Sequence, residues 1–155
     1  FQVMDGENMN FESGYFDYAV EYGALHHVDL PCALKELARV LKSDGEMICV
    51  EALRHNPLIH LYRKLTPHLR TAWEVEHILG VESLDVMRKY FDEVEVKYFH
   101  LFSLIAVPFR RNKRVFSLLL SIFEQVDKII LNIPVIKNYA WIMVIKLGKP
   151  KKQVF

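Results

Sequence analysis

The stretch that most constrains this chain is "YFDYAVEYGALHHVDLPCALKELARVLKSDGEMICVE", residues 15–51. "FDYAV" is an apolar run too short for a helix and reads as a buried strand. The segment from Asp29 to Gly45 then reads as a helix of about three turns. Asp29 can cap its N-terminus and Pro31 is tolerated in a first turn. Leu34, Leu37, Ala38 and Leu41 fall at i, i+3, i+4 and i+7 and form one apolar stripe. Gly45 is expected just past the helix end, in a left-handed conformation. "EMICV" is a second buried strand ending at Glu51. Strand, helix and strand make a right-handed crossover, which requires a parallel sheet.

Further along, the expectations are looser. "FQVM" at the start reads as a short strand entering the polar turn "DGEN". Beyond Glu51, "ALRHNPLIHLYRKLTPHLRTAWEVEH" is irregular and polar, partly helical, with Pro57 and Pro67 as breakers. "VESLDVMRKYF" reads as a helix, "EVEVKYFHLFS" as a strand and "KRVFSLLLSIFEQVDKIIL" as a long helix. "YAWIMVIKLGK" reads as a final strand and "KPKKQVF" as a solvated tail. The chain is therefore expected to be one α/β domain over 1–155, two parallel strands early and two late ones that pair antiparallel. In such sheets ligands sit at the carboxyl ends of the strands. That rule singles out Asp5 to Glu7, Glu21 to His27, and Glu51 to Asn56.

Composition narrows the classes. The 155 residues suffice for one core, and a net charge of +1 gives no global pull toward nucleic acid. The two cysteines, Cys32 and Cys49, have neither metal-ligand nor disulfide-scaffold spacing, so a reduced, cytoplasmic setting is expected. No apolar run reaches the length of a membrane span.

The block from Phe1 to Glu51 resembles class I S-adenosylmethionine-dependent methyltransferases, of the broad group that includes the ubiquinone and menaquinone methylases. The resemblance rests on an acidic turn, Phe16-Asp17 opening a strand, and the Leu25-His26-His27 turn. The helix ending in Arg39-Val40-Leu41-Lys42 and the glycine before the next strand complete it. It implies a seven-stranded Rossmann-like sheet whose last pair is antiparallel, with S-adenosylmethionine as cofactor and methyl transfer to a small-molecule acceptor as activity. By position, Asp5 would accept from the adenine amino group, with the backbone of Gly6 and Glu7 facing the ring edge and Met9 packing on it. Glu21, Tyr22 and Gly23 would lie beside the methionine portion. The family's first strand, its glycine-rich turn and its ribose-binding acid have no counterpart among these residues. The chain thus resembles the C-terminal part of such a domain, and in isolation it is expected to be inactive.

Candidate catalytic groups are His26, His27 and Glu51, which a proton-abstracting base would require only if the acceptor must lose a proton. The alternative is that one histidine packs under the turn while the other is solvated. Adjacent histidines in a turn are expected to diverge, and His55 and His60 lack the i, i+4 spacing of a helical ligand pair, so no metal site is expected. Residues 52–80 read as an acceptor-binding insertion, with His55, Asn56, Tyr62 and Arg63 as substrate-binding candidates. A surface helix with a solvated basic face explains the same residues. The long helix behind "RRNKR" carries a wide apolar stripe. Packing across the sheet is the favoured explanation; contact with a membrane surface, suited to a lipophilic acceptor, is the other. Two other functions fit less well. A non-catalytic methyltransferase-like interaction module is one. The other is a nicotinamide-dependent oxidoreductase, whose Tyr-x-x-x-Lys pair occurs nowhere in the sequence.

Overall fold

The computed structural model describes residues 1–69 and 77–152. In chain order the elements are β1 (Phe16–Tyr22), α1 (Leu30–Val40), β2 (Leu41–Ala52), α2 (Pro57–Leu65) and α3 (Ser83–Tyr90). They are followed by β3 (Phe91–Phe99), α4 (Lys113–Ile130) and β4 (Ile142–Pro150). Short 3-10 turns cover Leu25–His27, Pro67–Leu69, Ser103–Phe109 and Ile136–Tyr139. The expected insertion at 52–80 is described except for residues 70–76, and the tail except for 153–155.

The strands form one sheet in the order β1-β2-β4-β3. β1 pairs parallel with β2, and β4 pairs antiparallel with both β2 and β3. This is the expected α/β arrangement, a parallel pair extended by antiparallel strands. Helices α1 and α3 pack together on one face. Under them lie Leu34, Ala38, Met47, Cys49, Met87, Phe91, Met143, Ile145 and Leu147, all but fully buried. The alternation along β2 and β4 places Met47 and Cys49, and Met143, Ile145 and Leu147, inward at every second position. On the outward positions of β1, Tyr18, Val20 and Tyr22 are 73%, 77% and 81% exposed.

Helix α1 begins as its sequence dictates. Asp29 accepts from the Cys32 amide at 2.9 Å, and Pro31 sits in the first turn. Its C-terminus is closed from the far end of the chain: the Lys152 ammonium donates to the carbonyls of Ala38, Arg39 and Leu41. A cation on the last carbonyls suits the negative end of the helix dipole. Lys151 also bonds back, its amide to the Tyr90 carbonyl and its ammonium to that of Arg88. These two lysines therefore belong to the fold and not to a solvated tail.

Arg39, near the C-terminus of α1, holds the preceding loop. Its guanidinium donates to the carbonyls of Phe11 (2.7 Å) and Met9 (2.9 Å) and to both carboxylate oxygens of Glu36. Glu36 in turn accepts from the Met9 amide at 2.9 Å. The arginine of the "RVLK" sequence thus fastens residues 9–11 to the helix.

Several expectations are corrected. "FQVM" is not a strand: it pairs with no strand among the described residues, and Phe1 and Val3 are exposed. Gly45 is not a left-handed helix cap, because α1 ends at Leu41 in extended backbone and β2 starts there. A Cβ at Gly45 would lie 3.0 Å from the Lys42 backbone and 3.2 Å from the Asp17 carbonyl, so the close approach of β1 explains the glycine. Pro57 starts α2 and does not break it, since the Asn56 side chain caps that helix. Helix α4 does not lie chiefly on the sheet: only its C-terminal part, at Asp127 and Lys128, comes beside β3. It packs on the Ser103–Phe109 turn, and among its residues Asp127 alone is buried.

Candidate functional site

The carboxyl ends of β1 and β2 carry a cluster of titratable side chains. Glu21 and Cys49 face each other across the parallel pair, and Glu51 lies two residues beyond Cys49 on the same side. Gly23, which follows β1, has φ +62° and donates its amide to the Val50 carbonyl at 2.9 Å. That left-handed residue bends the chain into the Leu25–His27 turn and lays it over Glu51. The buried Glu51 carboxylate accepts from the Leu25 amide at 2.7 Å and from Nδ1 of His26 at 2.8 Å.

Glu21 is the second carboxylate. Burial, and then the adjacent Glu51 charge, push its pKa up from 4.5 to about 7, against the pull of a hydrogen bond from the Ala24 amide. Its Oε1 is buried without a hydrogen-bond partner. Two neighbouring carboxylates cannot both ionise cheaply, so the pair retains a proton near neutral pH, and Glu21 is the member whose affinity for it is raised. An ionised Glu51 can only accept, so the 2.8 Å contact suits the His26 tautomer that carries its proton on Nδ1. In that neutral tautomer the other ring nitrogen, Nε2, has the lone pair. The same burial and carboxylates push the Cys49 thiol upward, so it is an inert part of the core.

His26 lines a cleft of about 530 Å³ with Ala52, Ile59, Tyr62, Arg63, Ile78, Leu104, Val107, Arg110 and Trp141. The walls are mainly apolar, with two guanidinium groups and a phenol. A cleft of this size with few polar groups suits a small organic molecule bearing an anionic or polar end.

Of the expected substrate-binding residues, Tyr62 and Arg63 line this cleft. His55 instead points its Nε2 at Glu82, 3.7 Å away, beside the Arg54–Glu82 ion pair. Asn56 is fully buried: its oxygen accepts from the Ile59 amide and its amide nitrogen donates to the Tyr139 carbonyl. His27 lies against His26 with ring centroids 4.2 Å apart and planes tilted by 36°, so the pair does not diverge as a turn would suggest. The tight 3-10 turn brings the rings together. Among the described residues no three His, Cys, Asp or Glu side chains converge on a metal position.

The expected adenine-facing turn is a closed loop in which Asp5 and Asn8 form a bridge. Asp5 Oδ1 accepts from the Glu7 amide at 2.9 Å, leaving Oδ2 outward, and a Cβ at Gly6 would meet nothing within 4 Å. Glu7 reaches the Asp29 amide at 2.8 Å, and Met9 is half-buried under the Arg39 clasp. Tyr22 is largely exposed at the end of β1.

Sequence reasoning missed Leu104, Val107, Arg110 and Trp141. They come from two segments far from β1, and only Trp141, a large aromatic at the very start of a strand, carried any local signal. It also placed Glu21 beside a ligand without seeing it as half of a carboxylate pair.

Residues 1–49 match a family model described as a methyltransferase domain. No curated protein matches the chain by sequence. The fold is similar to that of a solved S-adenosylmethionine-dependent methyltransferase from Thermotoga maritima, described as a possible histamine N-methyltransferase. The TM-score is 0.61 at 21% identity, over 94% of this chain and 62% of that one. It is similar too to a phosphoethanolamine N-methyltransferase of Haemonchus contortus, solved with phosphomonomethylethanolamine and S-adenosylhomocysteine. There the TM-score is 0.57 at 17% identity, over 96% of this chain and 37% of that one. A third is geranyl diphosphate C-methyltransferase from Streptomyces coelicolor, solved with Mg2+, geranyl diphosphate and S-adenosylhomocysteine. Its TM-score is 0.56 at 13% identity, over 96% of this chain and 53% of that one. The chain thus has the fold of these methyltransferases and spans roughly a third to two thirds of their length.

Proposed function

We propose that the chain serves S-adenosylmethionine-dependent methyl transfer to a small-molecule acceptor, as the part of the domain that carries the acceptor cleft and a proton-accepting histidine. The observation that carries this reading is the Glu51–His26 pair, 2.8 Å apart, whose histidine lines the 530 Å³ cleft.

The residues present fit the cofactor. Asp5 keeps a carboxylate oxygen for an amino donor, Gly6 leaves open space above its backbone, and the unpartnered Oε1 of Glu21 can bond a polar group beside Gly23. When bound, the cofactor supplies an electrophilic methyl group on a sulfonium. The protein's task is then to orient the acceptor and, for a protonated nucleophile, to take its proton. Glu51 fixes the His26 tautomer and Nε2 is the base. Arg63 and Arg110 suit an anionic group on the acceptor, and Trp141, Leu104 and Val107 suit its apolar part. The phosphorylated molecules bound in two of the structural neighbours are of this kind.

The test is a methyl-transfer assay on the full-length protein with labelled cofactor and a panel of phosphorylated amines and prenyl phosphates. Calorimetry with S-adenosylhomocysteine runs beside it. Glu51→Gln is expected to lower kcat about 10- to 100-fold with little change in KM and to displace the acid limb of the pH profile. Absence of S-adenosylhomocysteine binding would overturn the cofactor reading. An unchanged kcat and pH profile in Glu51→Gln would remove His26 as the base.

A further inference from the structure

We propose that the outer face of α4, with the basic segment before it, docks on an anionic lipid surface beside the mouth of the cleft. Helix α4 has two apolar faces. One, including Phe116, Leu119, Leu120, Phe123 and Val126, is half-buried, on the helix that packs on the Ser103–Phe109 turn. The other, Val115, Leu118, Ile122 and Ile129, falls within about 60° of helix circumference at 3.6 residues per turn. All four are exposed, Leu118 by 62% and Ile129 by 73%. A helix that merely covered a core would be polar there. The turn leading into α4 continues the pattern, with Ile105, Val107 and Phe109 exposed as well.

Charge identifies the occupant. Between Glu95 and Glu124 the sequence contains Lys97, Arg110, Arg111, Lys113 and Arg114 and no acidic residue. Four of these five cations cluster around the start of α4, where the helix dipole disfavours positive charge and Asn112 already supplies the cap. They do not serve the helix, and no ion pair to an acidic side chain is recorded for them among the described residues. Exposed apolar side chains next to a dense basic cluster and a helix N-terminus complement a surface of phosphate groups over hydrocarbon. No helix among the described residues is long and apolar enough to cross a membrane, so the contact is with the surface. Val107 and Arg110 belong both to this segment and to the cleft wall. An amphiphilic molecule leaving the lipid surface would therefore meet the cleft directly.

The inference is tested by co-sedimentation of the protein with vesicles of phosphatidylcholine alone and of phosphatidylcholine with roughly a third phosphatidylglycerol. The protein is expected to bind the anionic vesicles, to bind neutral ones weakly, and to be released by added salt. The double variant Arg111→Glu/Arg114→Glu is expected to bind about tenfold more weakly. These substitutions put acid where the helix dipole favours it, so lost binding cannot come from a lost helix. Leu118→Glu, at an exposed position, should weaken binding with unchanged circular dichroism. Binding that ignores vesicle charge, or no binding to anionic vesicles, would overturn the proposal. A concentration-dependent dimer abolished by Leu118→Glu would assign the stripe to a second copy of the chain and overturn it equally. None of these readouts depends on catalysis, so the docking surface and the methyl-transfer reading can fail separately.

Discussion

The carboxylate of Asp127 lies 2.7 Å from the amide nitrogen of Phe102, and its second oxygen accepts from the amides of Leu101 and Ser103 at 3.0 and 3.1 Å. One buried side chain of α4 thus satisfies three consecutive backbone donors just after His100, whose φ is +63°. These donors open the 3-10 turn that forms one wall of the cleft, so the wall's position depends on this anchor.

Asp127→Ala takes the acceptor from three amides, that of Ser103 buried and those of Leu101 and Phe102 partly buried. A loss of about 3 kcal/mol is expected, since each such donor costs roughly 1–3 kcal/mol and the effects are not fully additive. Asp127→Asn, which keeps an acceptor, should lose about half as much. Urea unfolding monitored by tryptophan fluorescence reads both. Equal stability of Asp127→Ala and the wild type would dismiss the anchor.

The raised pKa of Glu21 sets a pH dependence with a definite sign. The folded state holds the proton up to about pH 7 and the unfolded chain releases it near 4.5, so the folded state binds more protons in between. Stability from this group is greatest below about 4.5 and falls as pH rises through about 7. Glu21→Gln should flatten that part of the stability–pH curve and hold it near its acidic value. A Gln variant with the wild-type slope would place the proton elsewhere.

The Arg39 clasp predicts a local effect. Arg39→Lys keeps the charge but cannot bridge two carbonyls and a carboxylate with one planar fork. The amide of Met9, held by the Glu36 carboxylate that the guanidinium fixes, should exchange with solvent roughly five- to tenfold faster, as expected for losing about 1 kcal/mol of local protection. Exchange in β4 should not change. Mass spectrometry after deuterium labelling separates the two regions.

How far the fold could be read ahead of time depended on the range of the forces involved. Asp29, Pro31 and the Leu34–Leu41 stripe act within one helix, and the β1–α1–β2 crossover followed from them. "FQVM" has the residues of a strand, but pairing needs a neighbour, and strand propensity alone does not supply one. Gly45 was assigned to the wrong constraint because a close approach by Asp17 leaves no trace in local sequence. The stripe of α4 was visible in full, whereas its division into a packed and an exposed half depended on where the Ser103–Phe109 turn would lie. For the site, strand-end position singled out Glu21, His26 and Glu51 as candidates. Their hydrogen bonds, and the arrival of Leu104 and Trp141 across the cleft, depended on tertiary packing.

The inner place of β4 bears on how the chain is assembled during synthesis. It lies between β2 and β3 although it follows both in sequence. Until it emerges from the ribosome, two strands wait with open edges, and Lys152 has not reached the end of α1. Nascent chains that stop short of residue 142 therefore lack the bridge joining the two halves of the sheet, leaving sticky, unpaired borders. Closure must wait for the most distant contacts, which makes the sheet a late, all-or-none event with a long window for chaperone capture.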